Sequence, residues 1–194
     1  MKLRLHIAIV VMLAALPIFA HAQKVDLGVG LSTTLAPPPL FTQGALAAPA
    51  LDGGTYPGVS ADILVHHIGV EGEVYWRASQ ANNYVPATYG PGLGYRPVLY
   101  NVNFIGMGPV APHVHLELVA GVGGLSTRFY AQQGSTAPPS SNIFDGDLGM
   151  GLRIYPTKHI FIRPEGRLYV TGNNKGYAGQ VTSRAGVTIG YTLP

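Results

Sequence analysis

The stretch Ile68-Gly-Val-Glu-Gly-Glu-Val-Tyr-Trp-Arg77 sets the character of the chain: Ile68, Val70, Val74 and Trp76 alternate with Gly69, Glu71, Glu73, Tyr75 and Arg77. A period of two puts the sets on opposite faces of an extended strand, one apolar and one ionic. The same alternation predicts eight strands: Val25 to Thr33, Val59 to Val65, Ile68 to Ala78, Val98 to Ile105, Val114 to about Tyr130, Phe144 to Tyr155, Ile160 to Val170 and Val181 to Leu193. Most are about 9–11 residues or longer, enough for a tilted strand to cross a bilayer. All acidic residues except Asp52 fall within these strands, opposite the apolar side chains. A soluble protein places its charge the other way round.

Connection lengths alternate. Thr34 to Gly58, Ser79 to Pro97 and Ala131 to Ile143 are long, His66-His67, Gly106 to His113 and Pro156 to His159 are short, and Thr171 to Gln180 is moderate. Short turns at one end and longer loops at the other predict an all-β, eight-stranded antiparallel up-and-down transmembrane barrel with periplasmic turns and extracellular loops. An even strand number places both ends of the barrel sequence on the short-turn side. The long loops are rich in Pro, Ala, Gly, Ser, Thr and Asn, as in Gly134-Ser-Thr-Ala-Pro-Pro-Ser-Ser141, and read as surface loops.

Composition refines this picture. Met1-Lys-Leu-Arg4 is basic, Ile7 to Phe19 is mostly apolar, and Ala20-His21-Ala22 is an A-x-A cleavage signal, so residues 1–22 read as a signal peptide and 23–194 as the barrel domain. The apolar run is too short for a spanning helix and Pro17 interrupts it. Loss of Lys2 and Arg4 lowers the formal charge of +3 by two, leaving nothing that suggests nucleic-acid binding. The chain has no cysteine, which removes disulfides and thiolate metal sites.

The segment Arg184-Ala-Gly-Val-Thr-Ile-Gly-Tyr191 resembles the signal by which barrels are recognised for assembly, through Arg184, Gly186, Ile189 and Tyr191. Together with the signal peptide, the eight alternating strands and the loop rhythm, it makes the chain resemble the small outer-membrane β-barrel-domain family, with its OmpA-like and OmpW-like eight-stranded members. The resemblance implies a bacterial outer-membrane protein with lipid, lipopolysaccharide and the barrel-assembly machinery as partners. It also implies a possible extracellular partner for the long loops, and no cofactor.

The inward face then carries Asp26, Asp62, Glu71, Glu73, Glu117, Asp145, Asp147 and Glu165 against Arg77, Arg153, Arg163, Arg167 and Arg184, with His115 alongside. An eight-stranded interior is only wide enough for side chains to fill, so an ion-paired plug is expected. Strand direction suggests a lower cluster of Asp26, Glu71, Glu117, Arg153 and Arg163 and an upper one of Glu73, Arg77, Asp145, Asp147, Arg167 and Arg184.

Three functions compete: a non-enzymatic structural or surface-interaction protein, a narrow channel or OmpW-like conduit for small apolar solutes, and a lipid A-modifying barrel enzyme. The enzyme lacks a triad, since the outward Ser126 and Ser183 lie at the end opposite the histidines. A soluble lipocalin-like carrier would need the inverse polarity.

His66, His67, His113 and His159 fall in the short turns, where a metal site is weighed against ordinary polar turn residues. Outward Trp76, Tyr100 and Tyr191 suit headgroup girdles, and Arg96, Arg128 and Lys175 lie where lipopolysaccharide phosphates would be.

Overall fold

The computed structural model describes residues 23–35, 53–84, 93–130, 140–171 and 181–193. The expected signal peptide, Asp52, Lys175 and most of the long-loop residues lie outside these. The strands are β1 (Gln23–Leu35), β2 (Tyr56–Val65), β3 (Ile68–Trp76), β4 (Ala81–Tyr84), β5 (Leu93–Ala111), β6 (Val114–Tyr130), β7 (Ser141–Ile154), β8 (Ile160–Thr171) and β9 (Val181–Thr192). Each long strand pairs antiparallel with its sequence neighbours, β9 returns to β1, and β3 pairs with β5, which closes an eight-stranded barrel. The short β4 extends the line of β3 along the outer part of β5.

The register fixes the shape. A path through paired residues runs Val25, Ile63, Val70, Phe104, Ala120, Leu148, Leu168, Ser183 and back to β1 at Leu35, ten positions beyond its start. With eight strands spaced about 4.8 Å apart and a rise of about 3.3 Å per residue, this stagger tilts the strands by roughly 40°.

Burial alternates along every long strand and is inverted relative to a soluble barrel. Val29, Leu31, Val102, Phe144, Leu148 and Met150 are each 59–65% exposed, whereas Asp26, Glu71, Glu117, Arg153 and Arg163 are fully buried. A continuous apolar outer face of this extent needs a lipid solvent.

The predicted strands are all present, with shifted ends. The largest shift is in the fourth, expected at Val98 to Ile105 and observed as β5 from Leu93 to Ala111. Gly106, Gly108 and Pro109 read as turn residues, yet they pair with Leu118, Leu116 and His115 of β6, and a register shift between Pro109 and Ala111 absorbs the proline. The turn shrinks to Pro112-His113, and the expected loop Ser79 to Pro97 loses residues to β4 and β5. The second strand starts at Tyr56 rather than Val59, and the third stops at Trp76. His66 and His113 take positive φ angles of 57° and 64° in the two tight hairpins, a conformation those turns require.

Candidate functional site: the ion-paired lumen

Four arginines organise the interior. Arg153 on β7 reaches Asp26, Asp62 Oδ2 at 2.6 Å and Glu117 Oε2 at 2.7 Å. Arg163 on β8 reaches Glu71 Oε2 at 2.6 Å, Glu117 Oε1 at 3.2 Å and Glu165 Oε2 at 3.3 Å. Arg167 is 2.5 Å from Glu71 Oε1 and 3.2 Å from both Asp147 Oδ2 and Glu165 Oε2. Arg184 on β9 closes the series with Glu73 Oε2 at 2.8 Å and Glu165 Oε1 at 2.9 Å.

The expected two clusters are therefore one network. Glu71 joins Arg163 to Arg167, and Glu165, which neither expected cluster contained, touches Arg163, Arg167 and Arg184. The reason is the stagger: tilted strands bring residues from different rows to similar heights, and a guanidinium fork with several donors spans them.

Two expected members stand apart. Arg77 lies beside Gly54 and Tyr56 near the loop end and joins none of the described ion pairs. His115 sits at the turn end with its ring edge-on to Tyr155, centroids 5.8 Å apart. Both follow the inward alternation at the two mouths, and neither joins a described ion pair, although His115 is the cross-strand neighbour of Arg153.

Small residues make the crossings possible. In one row Asn101, Gly123 and Asp145 lie side by side, and in the next Asn103, Gly121 and Asp147. Asn101 donates across the glycine to Asp145 Oδ1 at 2.7 Å, while Asn103 donates to Glu71 Oε1 at 2.9 Å. A Cβ on Gly123 would stand 2.5 Å from Asn101 Nδ2, so this position must be glycine for that amide to reach past β6. The sequence shows the glycines but not that β5 reaches β7 over Gly123.

Apolar and aromatic layers bound the network at both ends. Tyr56, Tyr75, Leu99, Leu125 and Tyr169 form a buried cluster on its loop side. The Arg184 guanidinium lies 3.7 Å from the Tyr75 ring centroid, and the Tyr169 hydroxyl donates to Glu73 at 3.1 Å. On the turn side Arg153 stacks over Phe161 at 4.6 Å, and Phe161 packs on Tyr155.

The charges do not balance. Eight buried carboxylates (Asp26, Asp62, Glu71, Glu73, Glu117, Asp145, Asp147, Glu165) face four buried guanidiniums. Asp145 is the acid whose described partner is an amide and not a cation. Asp145→Asn removes an uncompensated buried charge, and we expect it to stabilise the barrel by about 1 kcal/mol or more, read as a higher urea midpoint in vesicles.

The remaining sequence candidates are at the rims. Arg184 of the assembly-signal segment points inward into the network and Gly186 lies inward against Ser32, while Ile189 and Tyr191 are 54% and 45% exposed on the outer face. His66 and His67 occupy one turn, His113 another, and His159 stacks on Tyr191 at 5.6 Å with Nδ1 3.2 Å from the Thr192 carbonyl oxygen. Among the described residues no group of three or more His, Cys, Asp or Glu is placed to hold a metal ion, so the four turn histidines are not gathered into one site. Ser126 and Ser183 pair with Asn142 and Leu168 on loop-side stretches of β6 and β9, remote from the turn histidines. Arg96 and Arg128 face each other across β5 and β6 on the outer face, and Arg96 donates to the Ala78 carbonyl at 2.8 Å.

An eight-stranded barrel with a lipid-facing apolar exterior and an ionic interior is a small transmembrane barrel of the bacterial outer membrane. No protein-family model matches the sequence, and no curated protein matches it. Solved structures do. Neisserial surface protein A superposes with a TM-score of 0.61 at 10% identity, covering 89% of this chain and 97% of that one. Ail, the attachment invasion locus protein of Yersinia pestis, gives 0.59 at 12% identity, over 88% and 99%. The N-terminal β-barrel domain of Pseudomonas aeruginosa OprF gives 0.58 at 13%, over 88% and 97%. At these identities the likeness is one of fold.

Proposed function

We propose that the protein is a non-enzymatic outer-membrane barrel with a closed lumen, acting as a structural element of the membrane and through contacts made at its loop end. The observation that carries this reading is the buried network itself: Arg153, Arg163, Arg167 and Arg184 are each no more than 2% exposed, interlocked with acids from β1, β2, β3, β6, β7 and β8. Such a core spends the lumen on rigidity and leaves the segments joining the strands at the loop rim for partners. Ail, named for attachment and crystallised with a heparin analogue, is a barrel of similar fold, and its name lends support to contacts at the loop end. The outward Arg96 and Arg128 are suited to lipopolysaccharide phosphates. In planar bilayers the purified barrel is expected to give no steady open state; a stable ohmic conductance would refute the closed lumen.

A second reading, a lateral conduit for small apolar solutes, has one observation in its favour. Pairing of β7 with β8 passes from Gly151–Glu165 directly to Ile154–Ile162, skipping Pro164, which has no N–H to donate. An outer groove lined by Leu152, Pro164 and Gly166 lies over this gap. If the seam conducts, Pro164→Val lowers uptake of an apolar solute into proteoliposomes; equal uptake by both forms removes the reading.

A further inference from the structure

The turn end of the barrel differs in charge from the acid-rich network above it. A cavity of about 380 Å³ opens there, lined by Lys24 of β1, His113 of the β5–β6 turn, His115 of β6, and Tyr155, Thr157 and Lys158 where β7 turns into β8. Among the described residues no carboxylate lines it. His67 from the β2–β3 turn and Arg153 from above add positive field at His115. Asp26, whose charge reaches Tyr155 of the lining, is engaged by Arg153.

The lining is rich in hydrogen-bond donors. His115 Nδ1 is buried without a hydrogen-bond partner. The Thr157 oxygen already accepts from the backbone N–H of Ile160 at 3.0 Å and of His159 at 3.4 Å, which leaves its own proton free to donate. Two ammonium groups, two imidazoles and a hydroxyl around one concave space form an arrangement that suits a multiply charged oxyanion. The space is an open cleft, with Lys24, His113, Thr157 and Lys158 on its exposed walls and His115 and Tyr155 deeper.

We propose that this vestibule is a binding site for a small soluble polyanion carrying phosphoryl or clustered carboxylate groups, held at the periplasmic mouth beneath the closed lumen. The volume accommodates more than a single phosphate and gives Lys24 and Lys158 separate charged groups to contact. The proposal is independent of whether the lumen conducts, because the site lies outside the ion-paired network.

The test uses the full mature chain in a neutral maltoside detergent, titrated with pyrophosphate while the histidine ring signals are followed by NMR. His113 and His115 are expected to shift together along one saturable curve, with His66 unmoved. The double variant Lys24→Gln/Lys158→Gln, its fold checked by heat-modifiable migration, should weaken binding about ten-fold or more. Shifts that fail to saturate, that chloride at equal ionic strength reproduces, or that persist in the double variant overturn the site. So does occupation by phosphatidylglycerol in nanodiscs: if that lipid alone moves the same signals and pyrophosphate no longer does, the anion is a lipid headgroup and not a soluble ligand.

Discussion

Replacing Arg163 with methionine is expected to cost about 3–5 kcal/mol, enough to abolish refolding in many preparations. Arg163 faces Glu71, Glu117 and Glu165 at 2.6, 3.2 and 3.3 Å, and Asp62 at 3.4 Å. Methionine fills similar volume but leaves those acids to repel one another in a space already short of cations. Asymmetry makes the prediction specific. Glu71→Gln also breaks ion pairs, yet it relieves the carboxylate excess and keeps an acceptor for the Asn103 amide. It should therefore cost clearly less than Arg163→Met. Urea midpoints of both variants in the same vesicles check the order, and an equal or reversed order would mean that the acid excess is already neutralised.

The second large effect concerns the other face. Val29, at the centre of β1 and 65% exposed, is a position where arginine would be nearly free of cost if water lay outside. In lipid, Val29→Arg should cost about 2–4 kcal/mol, and less when the same change is made at either end of the strand. Unfolding in vesicles of controlled thickness gives the measurement, and a flat response along β1 would argue against a spanning strand.

How far the sequence revealed this molecule depended on whether the signal was local. Outward runs such as Val25, Leu27, Val29 and Leu31 obey a period set by the pleat, so strand identity and the inside-outside assignment could be read residue by residue. Strand ends could not. Gly106, Gly108 and Pro109 have turn chemistry, but β6 supplies a long pairing partner that holds them in a ladder. The site shows the same division. That Glu71 and Arg163 face inward is local; that they meet depends on a stagger of ten residues accumulated around the barrel, which no single strand encodes. The same stagger merges the expected lower and upper clusters through Glu165, and it leaves Arg77 and His115 at the mouths. The basic vestibule was visible in part, as histidines falling in the short turns, but its lining also requires Lys24 of β1 to meet the same space as Lys158 of the β7–β8 turn.

The central claim is the inverted polarity: lipid outside, a packed ionic interior inside. It is tested most directly by nitroxide scanning of single cysteines along β9, since the chain has no native cysteine. In liposomes, labels at Ala185, Val187 and Ile189 should be reached by oxygen and not by an aqueous nickel complex, while labels at Thr182 and Thr188 should be reached by neither. The two patterns should alternate from residue to residue. Access of the nickel complex to the outer set, or loss of the two-residue period, would contradict the account.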